Sequence, residues 1–176
     1  MKRLILVFLF VGIAAIYFGC SENNPSAPEL NQNDQVTTSL EKKVYTYFSG
    51  KSTNIGMLDP GKTDTLPNGR VQTRGLVVQT EDLLSDSRVA GIVTWVVNRN
   101  VYVSGDIDLW GTGELIIPDA GRWDMTYKGW WPVGETLTYE VDGHGKGELR
   151  GLKAHWTYIL DLSAGIFDVN GYIIEK

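Results

Sequence analysis

Beyond residue 40 the hydrophobic and polar positions alternate with a period of two, the signature of strands that bury one face. Val101, Val103, Ile107 and Leu109 stand against Tyr102, Ser104, Asp106 and Asp108. Leu137, Tyr139 and Val141 stand against Thr136, Thr138 and Glu140, and Trp123, Met125, Tyr127 and Trp131 against Asp124, Thr126 and Lys128. Turn-forming groups punctuate the runs at intervals of roughly ten residues: Pro67-Asn68-Gly69, Asn98-Arg99-Asn100, Asp119-Ala120-Gly121, Pro132-Val133-Gly134, Asp142-Gly143 and Ser163-Ala164-Gly165. The pattern predicts eight or nine strands, near 43–48, 70–80, 88–97, 101–108, 111–117, 122–131, 135–141, 155–162 and 166–174. No amphipathic helix of useful length is expected; 81–86 and 148–153 each allow one turn. Short connections between many twisted strands predict an all-β fold, a single small antiparallel up-and-down β-barrel of about eight strands. Glycines inside the strand patterns, Gly75, Gly91, Gly105, Gly113 and Gly129, suit the bends of a barrel wall. A two-sheet sandwich fits the same alternation and stays open at this point.

The N-terminal stretch reads differently. Met1-Lys2-Arg3 precedes about fifteen apolar residues and then Tyr17-Phe18-Gly19-Cys20, the layout of a secretory signal peptide. The run is short for a membrane span, which needs roughly 20 residues. Residues 20–40, rich in Ser, Asn, Gln and Pro and free of aromatics, cannot bury enough surface to offset ordering and are expected to form a flexible, disordered tether. The expected organisation is therefore a signal peptide over 1–19, a linker over 20–40 and one barrel domain over 41–176.

A small residue followed by the chain's one cysteine resembles the bacterial lipobox, in which that cysteine is lipidated and becomes the mature N-terminus. The resemblance implies a lipoprotein held on a membrane through acyl groups on Cys20. Several acyl chains anchor stably where one does so only marginally. Ser21, rather than an acid, after the cysteine resembles lipoproteins sorted to an outer membrane, so the expected location is the cell envelope. A lipidated Cys20 leaves no thiol for a disulfide. Loss of residues 1–19 lowers the basic count from 16 to 14 against 21 acids, a net charge of about −7. That balance argues against nucleic acid or anionic lipid surfaces as partners, since both reward a basic patch.

Gly56-Met-Leu-Asp-Pro-Gly61-Lys62-Thr63 matches the phosphate-binding P-loop letter for letter. That loop works only between a buried strand and a helix N-terminus. Asp64-Thr65-Leu66-Pro67-Asn68-Gly69 cannot continue as a helix, so ATP is not expected as a ligand. His144 and His155, with Glu140, Asp142 and Glu148 nearby in sequence, are too few and too spread for zinc, which needs three or four converging ligands. An extended chain between the two histidines would hold them on the order of 30 Å apart, and a helical turn would shorten this. Asp106 and Asp108 fit the solvent face of a strand; as a carboxylate pair they could serve acid–base chemistry. No cofactor or metal is expected. An internal echo, Gly111-Thr-Gly113-Glu114-Leu115 and Gly145-Lys-Gly147-Glu148-Leu149, is explained by repeated hairpin geometry, since solenoids need three or more copies.

The aromatics carry the functional expectation. All six tryptophans fall between Trp95 and Trp156, more rings than a small barrel must bury. Trp130 and Trp131 are adjacent, so on a strand they point to opposite faces. Trp95, Trp123, Trp130, Trp131, Tyr139 and Trp156 are the candidate ligand-binding residues, with a filled core as the competing reading.

The run from Gly111-Thr-Gly113 through Gly121-Arg-Trp123 to Tyr127-Lys-Gly129-Trp130, with His144-Gly-Lys-Gly147-Glu-Leu149-Arg-Gly151-Leu-Lys, resembles the allene oxide cyclase–dirigent type of eight-stranded barrel. The likeness covers residues 101–174 and implies the fold. The plant enzymes of that group act on hydrophobic or radical substrates inside the barrel, but none of their catalytic residues maps onto this sequence. A lipocalin would carry its Gly-x-Trp in the first strand, where Val44–Ser49 has no Trp. Three functions remain open. One is a non-catalytic barrel binding a small apolar or aromatic ligand or a protein partner. Another is a cyclase- or isomerase-like enzyme, with Glu140 or Asp106 as acids if they point inward. The last is a surface module stacking sugars on Trp130 or Trp131.

Overall fold

The computed structural model describes residues 42–175. The signal peptide, Cys20 and the linker expected over 1–40 lie outside the described residues. Within them the chain is all-β: β1 (Val44–Asp59), β2 (Lys62–Thr65), β3 (Val71–Leu84), β4 (Gly91–Val101), β5 (Ile107–Ile117), β6 (Gly121–Trp131), β7 (Thr138–Gly147), β8 (Lys153–Asp161) and β9 (Ile166–Glu175). Consecutive strands pair antiparallel from β3 to β9, and β1 bonds both β9 and β3, closing an eight-stranded up-and-down barrel and ruling out the sandwich.

The ninth strand prolongs the wall. Asp59 pairs with Val77 and Lys62 with Arg74, so β2 continues β1 along β3 across the interruption at Pro60-Gly61. Bulges at Ile55 and Leu58 bend β1 before that point, as bulges do at barrel rims. The P-loop pattern therefore lies on a strand end and its extension, with no helix after it.

Alternation assigns the two faces. Phe48, Trp95, Trp123, Trp156, Tyr127, Tyr139 and Tyr158 point inward and are buried. Inward glycines on neighbouring strands make room for these rings. A Cβ at Gly113 would stand 2.5 Å from the Trp95 ring, one at Gly143 2.6 Å from the Trp156 ring and one at Gly171 2.5 Å from the Phe48 ring. The core is thus built on rings seated in glycine sockets rather than on uniform aliphatic layers.

The two ends differ. At one end Val89 and Leu149, from the β3–β4 and β7–β8 loops, are buried as plugs. The Trp123 indole N–H donates to the Arg88 carbonyl at 2.6 Å, and Arg88 pairs with Asp86 (2.7 Å) and Glu175 (2.5 Å). The other end carries the β4–β5, β6–β7 and β8–β9 turns and stays open.

Several local expectations are corrected. The strand expected over 101–108 does not exist: Tyr102–Asp106 is a turn, closed by Tyr102 N–H to Asp106 O at 2.9 Å, and Ile107 begins β5. Asp106 therefore leaves the strand, and its carboxylate is held below the usual range by the Val133 N–H and then the Ser104 hydroxyl. Asn98-Arg99-Asn100 and Asp142-Gly143, expected as turns, lie inside β4 and β7. Residues 81–84, expected as part of a helical turn, complete β3.

Candidate functional site

A cavity of about 280 Å³ occupies the open half of the barrel. Thr80, Trp95, Tyr127 and Tyr139 form its deep end, and Val78, Val97, Leu109, Leu137 and Phe167 its walls. Asn54, Arg99, Ile107 and Trp131 surround the mouth. Strand pairing places these residues. Val78 stands opposite Trp95 across β3 and β4, Gly129 opposite Tyr139 across β6 and β7, and Ile107 opposite Trp131 across β5 and β6. Trp131 is fixed at the rim by its indole N–H, which donates to the Glu135 carbonyl at 2.8 Å.

The rings at the deep end lock one another. Tyr139 stacks on Tyr158 at 4.7 Å and 6°, and Trp95 meets Tyr127, Tyr139 and Tyr158 edge-on at 5.3–6.4 Å. Edge-to-face and stacked pairs at such distances each add about 0.5–1.5 kcal/mol beyond burial. The cavity therefore has a rigid aromatic floor.

One layer below lies a polar chain. Trp95 Nε1 donates to Thr80 Oγ1 (3.0 Å), and the Thr80 hydroxyl donates to Asp82 Oδ1 (3.0 Å). The Tyr158 hydroxyl donates to Asp82 Oδ2 at 2.5 Å. Asp82 is fully buried. Its burial pushes the carboxyl's pKa up, against the lowering effect of its hydroxyl neighbours Ser52, Tyr158 and Thr80. Ser52 faces Asp82 across β1 and β3, yet its buried Oγ makes no hydrogen bond of good geometry. Asp82 does not line the cavity; Thr80 stands between them.

The candidate residues divide three ways. Trp95, Trp131 and Tyr139 come together around the cavity. Trp123 and Trp156 belong to the solid half, packed edge-on at 5.6 Å beneath the plugged end, and do not reach it. Trp130 points outward, half exposed, beside Tyr102 at 5.8 Å, so it and Trp131 share no surface. Asp108 and Glu140 lie on the outer face of β5 and β7, beside Trp130. His144 and His155 are not far apart along an extended chain: β7 and β8 form a hairpin that sets Asp142 opposite His155 and His144 opposite Lys153. Among the described residues no group of three or more His, Cys, Asp or Glu could hold a metal ion.

Sequence reasoning missed Thr80, Asp82, Arg99 and Tyr127. The signal for the first two was Val78-Gln-Thr80-Glu-Asp82-Leu-Leu84, an alternation that runs four residues past the expected strand end. Comparison with known protein families and with curated proteins finds no match to this chain.

Proposed function

We propose that the protein is an exported, lipid-anchored, non-catalytic binding barrel that takes a small apolar or aromatic molecule into its open half. The observation that carries this reading is the cavity itself, with apolar walls and an aromatic deep end, in a barrel open at one end and plugged at the other. A cavity of about 150 Å³ suits benzene, so one of 280 Å³ suits a ligand of about eleven non-hydrogen atoms. At about 0.5 kcal/mol per atom, between the limits for very small and drug-sized ligands, binding is worth about −5.5 kcal/mol, a Kd on the order of 100 μM.

Binding is favoured over catalysis by the placement of the acid. Asp82 lies beneath the floor, with its oxygens engaged by Thr80 and Tyr158, while Asp106 is held in the rim turns by Ser104 and Val133 and Glu140 lies on the outer face.

The test is an NMR shift titration with indole, 4-methylphenol and cyclohexylmethanol. At least one should shift Val78, Val97, Leu109, Leu137 and Phe167 saturably, and Leu137→Trp, which fills the space, should abolish the effect. The absence of saturable shifts at these residues from all three compounds at about 10 mM would sink the proposal.

A further inference from the structure

The outer wall of β1, β9 and β8 carries a groove separate from the interior cavity. Pairing sets Tyr47 beside Tyr172 and Tyr172 beside His155, so three aromatic side chains form one line across three strands. Two residues further along each strand a parallel line reads Ser49, Asn170 and Thr157. The residues between, Phe48 and Gly171, point inward, so bare backbone floors the space between the lines. A groove of about 490 Å³ lies there, with Ser85 closing the hydroxyl side. Strand geometry makes it about 7 Å between lines and about 10 Å from β1 to β8.

The chemistry of the walls is specific. No Lys, Arg, Asp or Glu lines the groove, so it offers no fixed charge to an ionic ligand. The aromatic line is pre-set. His155 stacks on Tyr172 at 5.5 Å and 29°, and its Nδ1 lies 3.0 Å from Asp142 Oδ1. Tyr45 and Tyr47 abut Tyr172 edge-on at 5.5 and 6.0 Å. Tyr47 is 76% exposed. Opposite, among the described residues, the side chains of Asn170 and Thr157 make no hydrogen bond within the protein, leaving an amide and a hydroxyl free to donate and accept. A ligand that matches must show one apolar face and one rim of neutral hydroxyls. A pyranose ring does both: its C–H face covers aromatic rings while its equatorial hydroxyls reach sideways. The width admits one ring and the length one to two.

We infer that this groove binds a neutral saccharide, one or two sugar units of a glycan chain, packed against the aromatic line of Tyr47, Tyr172 and His155 and hydrogen-bonded by Asn170 and Thr157. The inference is independent of the cavity. A protein partner would instead need a wider apolar centre than three rings beside a row of hydroxyls.

The test is saturation-transfer NMR on the full chain with cellotriose, maltotriose, chitotriose, mannotriose and galactobiose as probes. At least one should receive transfer, with Tyr172→Ala and Asn170→Ala each weakening it at least about fivefold. Tyr172→Phe, which keeps the ring face, should retain it, and so should Leu137→Trp, which blocks only the interior. Circular dichroism of each variant checks that the barrel is intact. No transfer from any of the five sugars to the wild type would overturn the inference, as would a signal that survives Tyr172→Ala or disappears in Leu137→Trp. Sedimentation velocity supplies a further arm: if Tyr172→Ala converts a dimer to a monomer while sugar transfer is unchanged, the groove is a contact between copies and the inference fails.

Discussion

Asp82 gives the sharpest prediction, because its surroundings set both a sign and a size. Its carboxyl accepts from Tyr158 and Thr80 in a fully buried layer, and burial raises its pKa above the ordinary 3.8 despite those bonds. Between 3.8 and the raised value the folded protein holds a proton that the unfolded chain has released. Stability from this group is therefore complete below 3.8 and is lost as pH rises through the folded pKa. Each unit of separation is worth about 1.4 kcal/mol. Asp82→Asn removes the titration and keeps a carbonyl acceptor for Tyr158 or Thr80, while its amide can donate to the partnerless Ser52 Oγ across β1 and β3. Asp82→Leu removes every acceptor and strands the Tyr158 hydroxyl, a cost of about 1–3 kcal/mol. In a domain of this size that lowers Tm by roughly 4–10 °C. Asp86 and Asp161 have lowered pKa values, the first through its hydrogen bond from Arg88 and the second through Ser163, so they add stability as pH rises. The difference between variants is accordingly the quantity to read. Urea unfolding from pH 3 to 8, followed by tryptophan fluorescence, should show Asp82→Asn gaining on wild type as pH increases, with Leu below Asn throughout. Parallel wild-type and Asn curves, or Leu as stable as Asn at pH 7, would refute the account.

Two further outcomes follow from the sockets and the N-terminus. Gly143→Ala drives a Cβ to 2.6 Å from the buried Trp156 ring and 3.3 Å from Trp123, which should cost about 1–3 kcal/mol of overpacking. Gly56→Ala meets nothing within 4 Å and should be neutral or stabilising by about 0.5 kcal/mol through the unfolded chain; chemical denaturation that shows the same sign for both would count against the socket reading. Cys20→Ser should move the protein from the membrane to the soluble fraction, and a variant that fractionates with the membrane would show the lipid assignment to be wrong.

The period of two was enough to read strands with one buried face, and the short connections favoured a barrel. A sandwich imposes the same alternation, and the pairing of β1 with β3 decides between them. What misled was glycine. Asp142-Gly143-His144-Gly145 reads as a turn by composition, yet Gly143 and Gly145 are inward strand positions: Trp156 occupies the space a Cβ at Gly143 would take, and Leu149 closes on Gly145. A single sequence does not distinguish a glycine that bends the chain from one that clears space for a ring on the next strand. Asn98-Arg99-Asn100 failed similarly. Asn98 and Asn100 face outward on β4, where Asn98 accepts from the Gly75 N–H and Asn100 from Arg74, while Arg99 reaches the cavity mouth. The cavity was only half legible. Adjacent Trp130 and Trp131 had to divide between faces, but which rings line empty space depends on what stands across the barrel, information that local pattern does not hold.

The interior and the outer groove descend from one register. On β1 and β9 the residues Phe48 and Gly171 turn inward to meet Trp156, which leaves Tyr47, Ser49, Asn170 and Tyr172 on the outside with no alternative. A slip of one residue between these strands would exchange the two sets, placing tyrosines in the core and a glycine beneath solvent. The burial of Trp156 and Phe48 forbids that slip, so the core fixes the outer line of rings without touching a ligand there. Because backbone separates the two faces, filling the cavity at Leu137 leaves Tyr172 and Asn170 in place, and truncating Tyr172 leaves the aromatic floor around Trp95 unchanged. Ligand binding at one face should therefore be lost without loss at the other.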